Sequence, residues 1–409
     1  MRRRWVLLLL LLAAVCAYGW LDVRRRARVD RGRRHHRTDF TVYQSAARAL
    51  SDGTNPYLAE NPRGYRYVYP PLLAVLLMPL AHWEPPDAAL VFYALSVGAL
   101  AAALSCLTRM VGWRATLAGT LFCIPFLHQS FQRGQVTILL LALQVGALSC
   151  CVRGRPFSAG LLLALGGALR LTPFLPAAAL CAGALAAARP KPALRLGGGL
   201  ATGVLLGFLV IPLVALGSDG TRQVNRQWVE QSGNLFAGKP GQLEALARVN
   251  EYRFKNQSPR RVIATWAGWL SGAGFERERP GLSTGAWRTV DLAAYALAAA
   301  FGLWALRLGW SRLRDPAGET FAPALAIVFM LPLFMTRYAW PTHYVMALPA
   351  VVLAHSHGGL AVFFAGTALF YLAHVGPLEP IGAAGPLLFG ALLFVALHRR
   401  ASLGRISPT

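Results

Sequence analysis

Long apolar runs make up most of this chain, and short polar stretches punctuate them. Runs such as "WVLLLLLLAAVCAYGWL" and "LGGGLATGVLLGFLVIPLVALG" have the length that a helix needs to cross hydrocarbon, about 20 residues. Segments able to span fall at 5–21, 88–107, 115–131, 135–152, 157–170, 174–188, 196–217, 289–310, 321–335, 339–355, 358–375 and 382–398, twelve in all. A thirteenth candidate, "YPPLLAVLLMPLAHW" at 69–83, is short and carries Pro70, Pro71 and Pro79. Proline removes a hydrogen-bond donor and bends helices, so this piece reads equally as re-entrant or interfacial. Among the polar stretches, "FTVYQSAARAL" sets Phe40, Tyr43, Ala47 and Leu50 at helical spacing, which predicts a helix along the membrane surface. "VIATWAGWLSGAG" predicts a second interfacial helix, because tryptophan favours the headgroup zone. The pattern predicts one integral membrane domain over 1–409, all-α and polytopic. A first hydrophilic loop at 22–68 carries the surface helix, and a long loop occupies 218–288.

Charge adds orientation. Lysine and arginine number 41 against 17 acids, a formal net charge of +24. The basic residues are scattered through short loops, which argues for anionic membrane lipids as partners and against nucleic acid. The loops "TRMVGWR", "RGRP", "RPKPALR" and "RLGWSRLRD" and the tail "HRRASLGR" are all basic, and the positive-inside rule makes them cytoplasmic. Alternation then places Gln132–Gln135, Arg170–Pro173, the 218–288 loop and "MTRYAWPTHY" on the other side. Residues 24–37 break the pattern, with eight arginines against three before the first span. Read literally, they put the first loop inside and make 69–83 a full crossing. The first run reads as a retained anchor, since bulky Trp20 and Leu21 stand where a cleavage site needs small residues. The six cysteines all lie in apolar segments without metal-ligand spacing and read as packing residues.

The acids limit the chemistry. Within the predicted spans only Asp291 is acidic, so a proton-coupled transporter built on mid-membrane carboxylates is excluded. No P-loop, GxGxxG or HExxH occurs, and no DxD pair for a divalent ion. Neither a metal nor a cofactor is called for. Polar clusters remain at the loop edges. Asp39, in "RTDFTVY", reads either as the N-cap of the helix beginning at Phe40 or as a functional acid. Asp52 lies in "SDGTNPY", which is turn chemistry. Arg170 ends an apolar segment, where an arginine either snorkels or binds a partner. "NQS" at 256–258 is a glycosylation sequon followed by Pro259, or else a loop lining a cleft.

The string "DFTVYQSAARALSDGTNPY", then "YVYPPLLAVLLMPLA", "RGQVTILLLAL", "RLTPFLP" and "NQS", resembles glycosyltransferase family 87 over most of the chain. The first string is the most specific. The chain departs from the family's usual asparagines at Arg133 and Thr137 and from its usual lysine at Arg170. The resemblance implies the GT-C architecture, about twelve transmembrane helices with extracytoplasmic loop helices, in a multi-pass protein of the bacterial inner (plasma) membrane. It implies transfer of a hexose, most often mannose, from a polyprenyl-phosphate donor to a lipid or glycan acceptor. It also places Asp39 in the first extracytoplasmic loop as the catalytic base, so the active site faces outside despite the arginines. Inverting transfer needs one base, no second carboxylate as nucleophile, and cations for the departing phosphate. Arginine suits the last role. The expected phosphate-side residues are Arg170, Arg337 and His343. Tyr43, Tyr57, Arg63, Arg66, Gln135, Asn256, Gln257 and Tyr344 are expected to line the substrate cleft. A lipid flippase or polysaccharide-export component, binding lipid phosphate without chemistry, is the alternative of a different class.

Overall fold

The computed structural model describes residues 38–186, 188–236, 259–272, 282–312, 321–335 and 341–356, with shorter pieces between 13 and 36 and between 275 and 280. The runs 358–375 and 382–398, most of 5–21, and Arg337, Asn256 and Gln257 lie outside the described residues. Among the described residues the fold is all-α apart from two small antiparallel hairpins. The first pairs β1 (Ala27–Asp30) with β2 (Arg33–His36), and the second pairs β3 (Phe275–Glu276) with β4 (Arg279–Pro280).

Helix α1 (Phe40–Ser51) forms where the spacing predicts it, and eight of its twelve residues are buried. Its apolar face is covered by protein. Phe40 and Tyr43 both pack on Phe92 of the long helix α3 (Pro85–Val111). The polar side of α1 is used as well. Gln44 Nε2 donates to the carbonyls of Leu80 and Trp83, at 3.0 and 2.9 Å, and Arg48 Nε donates to the Ala81 carbonyl at 3.0 Å. These contacts hold the 69–83 segment, which is not a continuous helix. It consists of the six-residue α2 (Pro71–Leu76) and a 3-10 turn at Met78–Leu80. Six residues rise about 9 Å, far short of the roughly 30 Å of hydrocarbon. The full-crossing reading of 69–83 fails for that reason.

Two helical stretches among the described residues are long and apolar enough to cross a bilayer, one at Pro85–Val111 and one running from Pro190 to Gly233. The predicted run 115–131 is two helices, α4 (Trp113–Phe122) and α5 (Ile124–Arg133), broken at Cys123 ahead of Pro125. It is followed by α6 (Thr137–Val152), α7 (Pro156–Leu169), α8 (Phe174–Ala186) and α9 (Pro190–Leu205). A π-helical segment at Leu206–Val210 leads into α10 (Ile211–Phe236). Gly217 breaks α10 at φ 70°, where the apolar run was expected to end, but the helix resumes and takes in the first part of the expected 218–288 loop. Asn225 Nδ2 donates to the Phe208 carbonyl at 2.8 Å, which folds the later half of α10 back against the π segment.

Small residues set a close contact between α7 and α9. A Cβ added at Gly199 of α9 would stand 2.0 Å from the Phe157 carbonyl oxygen of α7, and one at Gly160 would stand 2.2 Å from the Leu196 carbonyl oxygen. Gly203 and Gly207 continue the stripe at four-residue steps, meeting Ala164 and Ala168. Helices in lipid gain most from this close backbone approach. Gly199→Ala is therefore expected to destabilise the protein by about 1–3 kcal/mol, the usual cost of overpacking. Gly197→Ala, on the open side of the same helix, is expected to leave stability unchanged. Thermal unfolding of the two purified variants in one detergent checks the contrast.

Helix α11 (Pro259–Leu270) supplies the expected second amphipathic element and docks on α12 (Thr284–Arg312). Arg260 grips Asp291 through Nε and Nη2 and lies 5.3 Å from the Trp287 ring centroid. The acid within that predicted span is thus part of a two-pronged ion pair. Beyond α13 (Phe321–Met335), the run 339–355 is a 3-10 segment at Pro341–Ala347 leading into α14 (Leu348–Ser356).

Candidate active site

Asp39 sits at the N-cap position of α1, yet its side chain makes no capping hydrogen bond. Local bonds finish the helix end without it. Val42 N–H donates to the Asp39 carbonyl at 3.0 Å, and Thr41 Oγ1 donates to the Thr38 carbonyl at 2.8 Å. The carboxylate points elsewhere, and both oxygens are held. Oδ1 accepts from Arg63 Nη1 at 3.1 Å, and Oδ2 accepts from Gln135 Nε2 at 2.5 Å.

The turn after α5 positions the second contact. Gly134 takes the left-handed conformation at φ 60°, ψ 48°, which closes α5 and reverses the chain. The Arg133 carbonyl thereby accepts from Asp39 N–H at 2.8 Å, and the next side chain but one, Gln135, reaches the carboxylate. Tyr43 lies one turn along α1 and donates its hydroxyl to Gln135 Oε1 at 3.4 Å. An amide that accepts on its oxygen and donates from its nitrogen has its orientation fixed.

Behind Asp39 stands a set of tyrosines. Tyr43 meets Tyr67 and Tyr69 edge-on, with centroids 6.5 and 5.6 Å away. Burial raises the Tyr43 hydroxyl well above the ordinary tyrosine range. Tyr69 and the Asp39 charge raise it further, and Arg170 pulls it the other way. Tyr43 is thus kept as a neutral donor in the fields of both Asp39 and Arg170. Arg170 lies 5.6 Å from the Tyr69 ring centroid, and its Nη2 is 2.7 Å from His343 Nε2. A guanidinium only donates, so His343 Nε2 accepts and the ring proton sits on Nδ1. Arg170 is the C-terminal cap residue of α7, in extended backbone, and His343 is buried in the 3-10 segment before α14.

The structure therefore brings Asp39, Arg63, Gln135, Tyr43, Arg170 and His343 into one chain of contacts. Other expected cleft residues have different surroundings. Arg66 pairs with Glu60 at 2.8 Å. Tyr57 is 1% exposed and donates to the Tyr69 carbonyl at 3.3 Å, and burial pushes its hydroxyl upward. Tyr344 is equally enclosed and stacks on Phe126. Tyr57 and Tyr344 are thus buried rather than exposed at a cleft surface. Two participants were missed from sequence. Tyr69, in the "YVYPP" string, bridges Tyr43 and Arg170. Asn61, in "ENPRGY", carries the turn that bears Arg63, and asparagine before Pro-x-Gly is a turn signal. Among the described residues, no three of His, Cys, Asp and Glu converge in metal-binding geometry.

A fixed carboxylate flanked by a cation on one side, with a second arginine beyond a tyrosine wall, is suited to take up a proton and to neutralise a departing anion. The sequence model of glycosyltransferase family 87 matches residues 67–336. Two curated relatives are each named a polyprenol-phosphate-mannose-dependent alpha-(1-2)-phosphatidylinositol mannoside mannosyltransferase. The one from Mycobacterium tuberculosis is 32% identical over 168 residues, covering 35% of this chain and 39% of its own length. The one from Mycolicibacterium smegmatis is 30% identical over 190 residues, covering 40% and 41%. The chain thus spans about two fifths of the length of the curated relatives it matches. Among solved structures, it is similar to ArnT from Cupriavidus metallidurans bound to undecaprenyl phosphate. That likeness has a TM-score of 0.46 and 15% identity, over 97% of this chain and 78% of that one. The same protein in the apo state gives 0.45 and 14%.

Proposed function

The chain belongs to glycosyltransferase family 87, and from that premise we propose that it is an inverting, polyprenyl-phosphate-dependent hexosyltransferase of the membrane, most simply a mannosyltransferase. Its acceptor is a lipid or glycan hydroxyl. The observation that carries the reading is the Asp39 carboxylate, left unused by its own helix and held between Arg63 and Gln135.

The proposed reaction assigns a role to each of those positions. The acceptor oxygen attacks C1 of the sugar from the face opposite the phosphate. The C1–O bond to the phosphate breaks as the new bond forms, and Asp39 takes the acceptor proton. Charge grows on the phosphate, which leaves on its polyprenol. Arg170 offers a forked, permanently charged donor to it, and His343 braces that guanidinium. Arg337 remains assigned to the phosphate side, and Asn256 and Gln257 to the cleft, on the resemblance alone. The purified chain should transfer labelled mannose from polyprenyl-phosphate mannose to a lipid acceptor with inversion at C1. Absence of transfer with intact donor binding would favour the non-catalytic lipid-phosphate carrier instead.

The reading also assigns sides in a twelve-span, multi-pass protein, with the 22–68 loop and Asp39 outside. Ser51, exposed at the end of α1, and Lys191, exposed at the start of α9, report the two sides. In a background stripped of native cysteines, Ser51→Cys should react with a membrane-impermeant maleimide in intact cells. Lys191→Cys should react only after the membrane is opened. The reverse pattern would move the site to the cytoplasm.

A further inference from the structure

Asn61 has no place in the chemistry just described, yet it is 4% exposed and its three side-chain hydrogen bonds are directed at one end of the site. Its Oδ1 accepts from the backbone N–H of Arg63 at 3.0 Å and of Tyr65 at 2.9 Å. Its Nδ2 donates to Thr41 Oγ1 at 3.0 Å, and that hydroxyl donates onward to the Thr38 carbonyl. The backbone adds a β-turn, with Gly64 N–H donating to the Asn61 carbonyl at 2.8 Å and Asn61 N–H donating to the Tyr65 carbonyl at 3.0 Å. Proline at the second turn position and glycine at the fourth, here at φ 73°, are the residues such a turn favours. Glu60 and Arg66 close its base with a backbone bridge and an ion pair.

This turn carries Arg63 at its tip. The Arg63 guanidinium touches the Tyr65 ring face, 4.7 Å from the centroid, and Asp39. A long side chain 36% exposed ordinarily has many rotamers to lose on making one contact. Here the backbone below it is fixed from both ends, and one of the anchors, Thr41, belongs to the first turn of the helix that Asp39 begins. The turn and the base are therefore one rigid piece.

We propose that Asn61 is a positioning residue for the transfer reaction, acting through Arg63, which it holds against the Asp39 carboxylate so that the base faces the incoming hydroxyl in a single orientation. The proposal rests on the transferase reading for its catalytic consequence but not for its geometry. With Oδ2 taken by Gln135 and Oδ1 steered by Arg63, the carboxylate cannot rotate about its Cβ–Cγ bond without breaking a charge-assisted contact. Removing Asn61 frees the turn, and the carboxylate then samples orientations from which it cannot take the proton.

A double-mutant cycle tests this with two readouts. The first is kcat for mannosyl transfer. The second is the rate at which a water-soluble carbodiimide modifies Asp39, read by mass spectrometry of the peptide. Arg63→Gln and Asn61→Ala should each lower kcat by about ten- to a hundredfold, the effect of one charge-assisted hydrogen bond, and each should speed Asp39 labelling. The pair combined should be no worse than Arg63→Gln alone. Asn61→Asp, which keeps both turn bonds, should recover most of the loss. Additive losses, or Asn61→Ala with wild-type labelling, would overturn the proposal. Coupled labelling in a protein that transfers no mannose would leave the positioning pair standing and remove the mannosyltransferase reading.

Discussion

Asp39→Asn should abolish transfer while leaving a folded protein that still binds the polyprenyl-phosphate sugar. Asparagine keeps the shape of the side chain and can still accept a hydrogen bond from Arg63 or Gln135. It cannot take the acceptor's proton. Loss of a general base typically costs about a hundred- to ten-thousandfold in rate, and the helix loses nothing, because the aspartate side chain is not its cap. The measurement is single-turnover transfer beside donor binding and thermal unfolding. Transfer within a few-fold of wild type would mean that the base is elsewhere. Loss of donor binding together with turnover would favour the lipid-phosphate carrier.

Arg170→Ala should act on the donor side with a similar magnitude and a different signature. Removing one preorganised donor from a developing anion typically costs about a hundred- to a thousandfold in kcat. Donor affinity should fall with it, because the phosphate is charged in the ground state as well. Acceptor KM should hardly move. His343, 2.7 Å from the guanidinium, loses that contact in the same variant, so the part of its effect that runs through Arg170 should add nothing to Arg170→Ala. Arg170→Lys should recover part of the loss, since the charge survives and the fork does not. Full donor use by both variants would reduce Arg170 to a snorkelling side chain.

The sequence was most legible where one physical rule decides. Runs 88–107 and 321–335 coincide with continuous helices, and most of 174–188 does, since length and apolarity suffice there. The break at Cys123 was hidden inside a continuous apolar run. Its signal was Pro125, which fits the first turn of α5 but would cost one continuous helix a hydrogen bond. Similarly, Phe40 and Tyr43 have the spacing of a membrane-surface helix, but periodicity does not say what covers the apolar face, and here it is α3. The Asp39 choice between cap and base was open from sequence, because both uses place an acid before a helix. The direction of one carboxylate decides against the cap. Arg170 and His343 were each legible as polar residues in apolar company, but their pairing depends on how α7 packs against a segment 173 residues later.

The distances along the chain between contacting residues bear on how this molecule is made. Gln135 reaches Asp39 across 96 residues, and His343 reaches Arg170 across 173. During synthesis the carboxylate emerges early and stays without its amide partner until α5 and its glycine turn have been delivered. Arg170 then waits for His343 until the last third of the chain. Both contacts are completed only after most of the described helices have been made, so under the proposed function competence for transfer would itself report that assembly has succeeded.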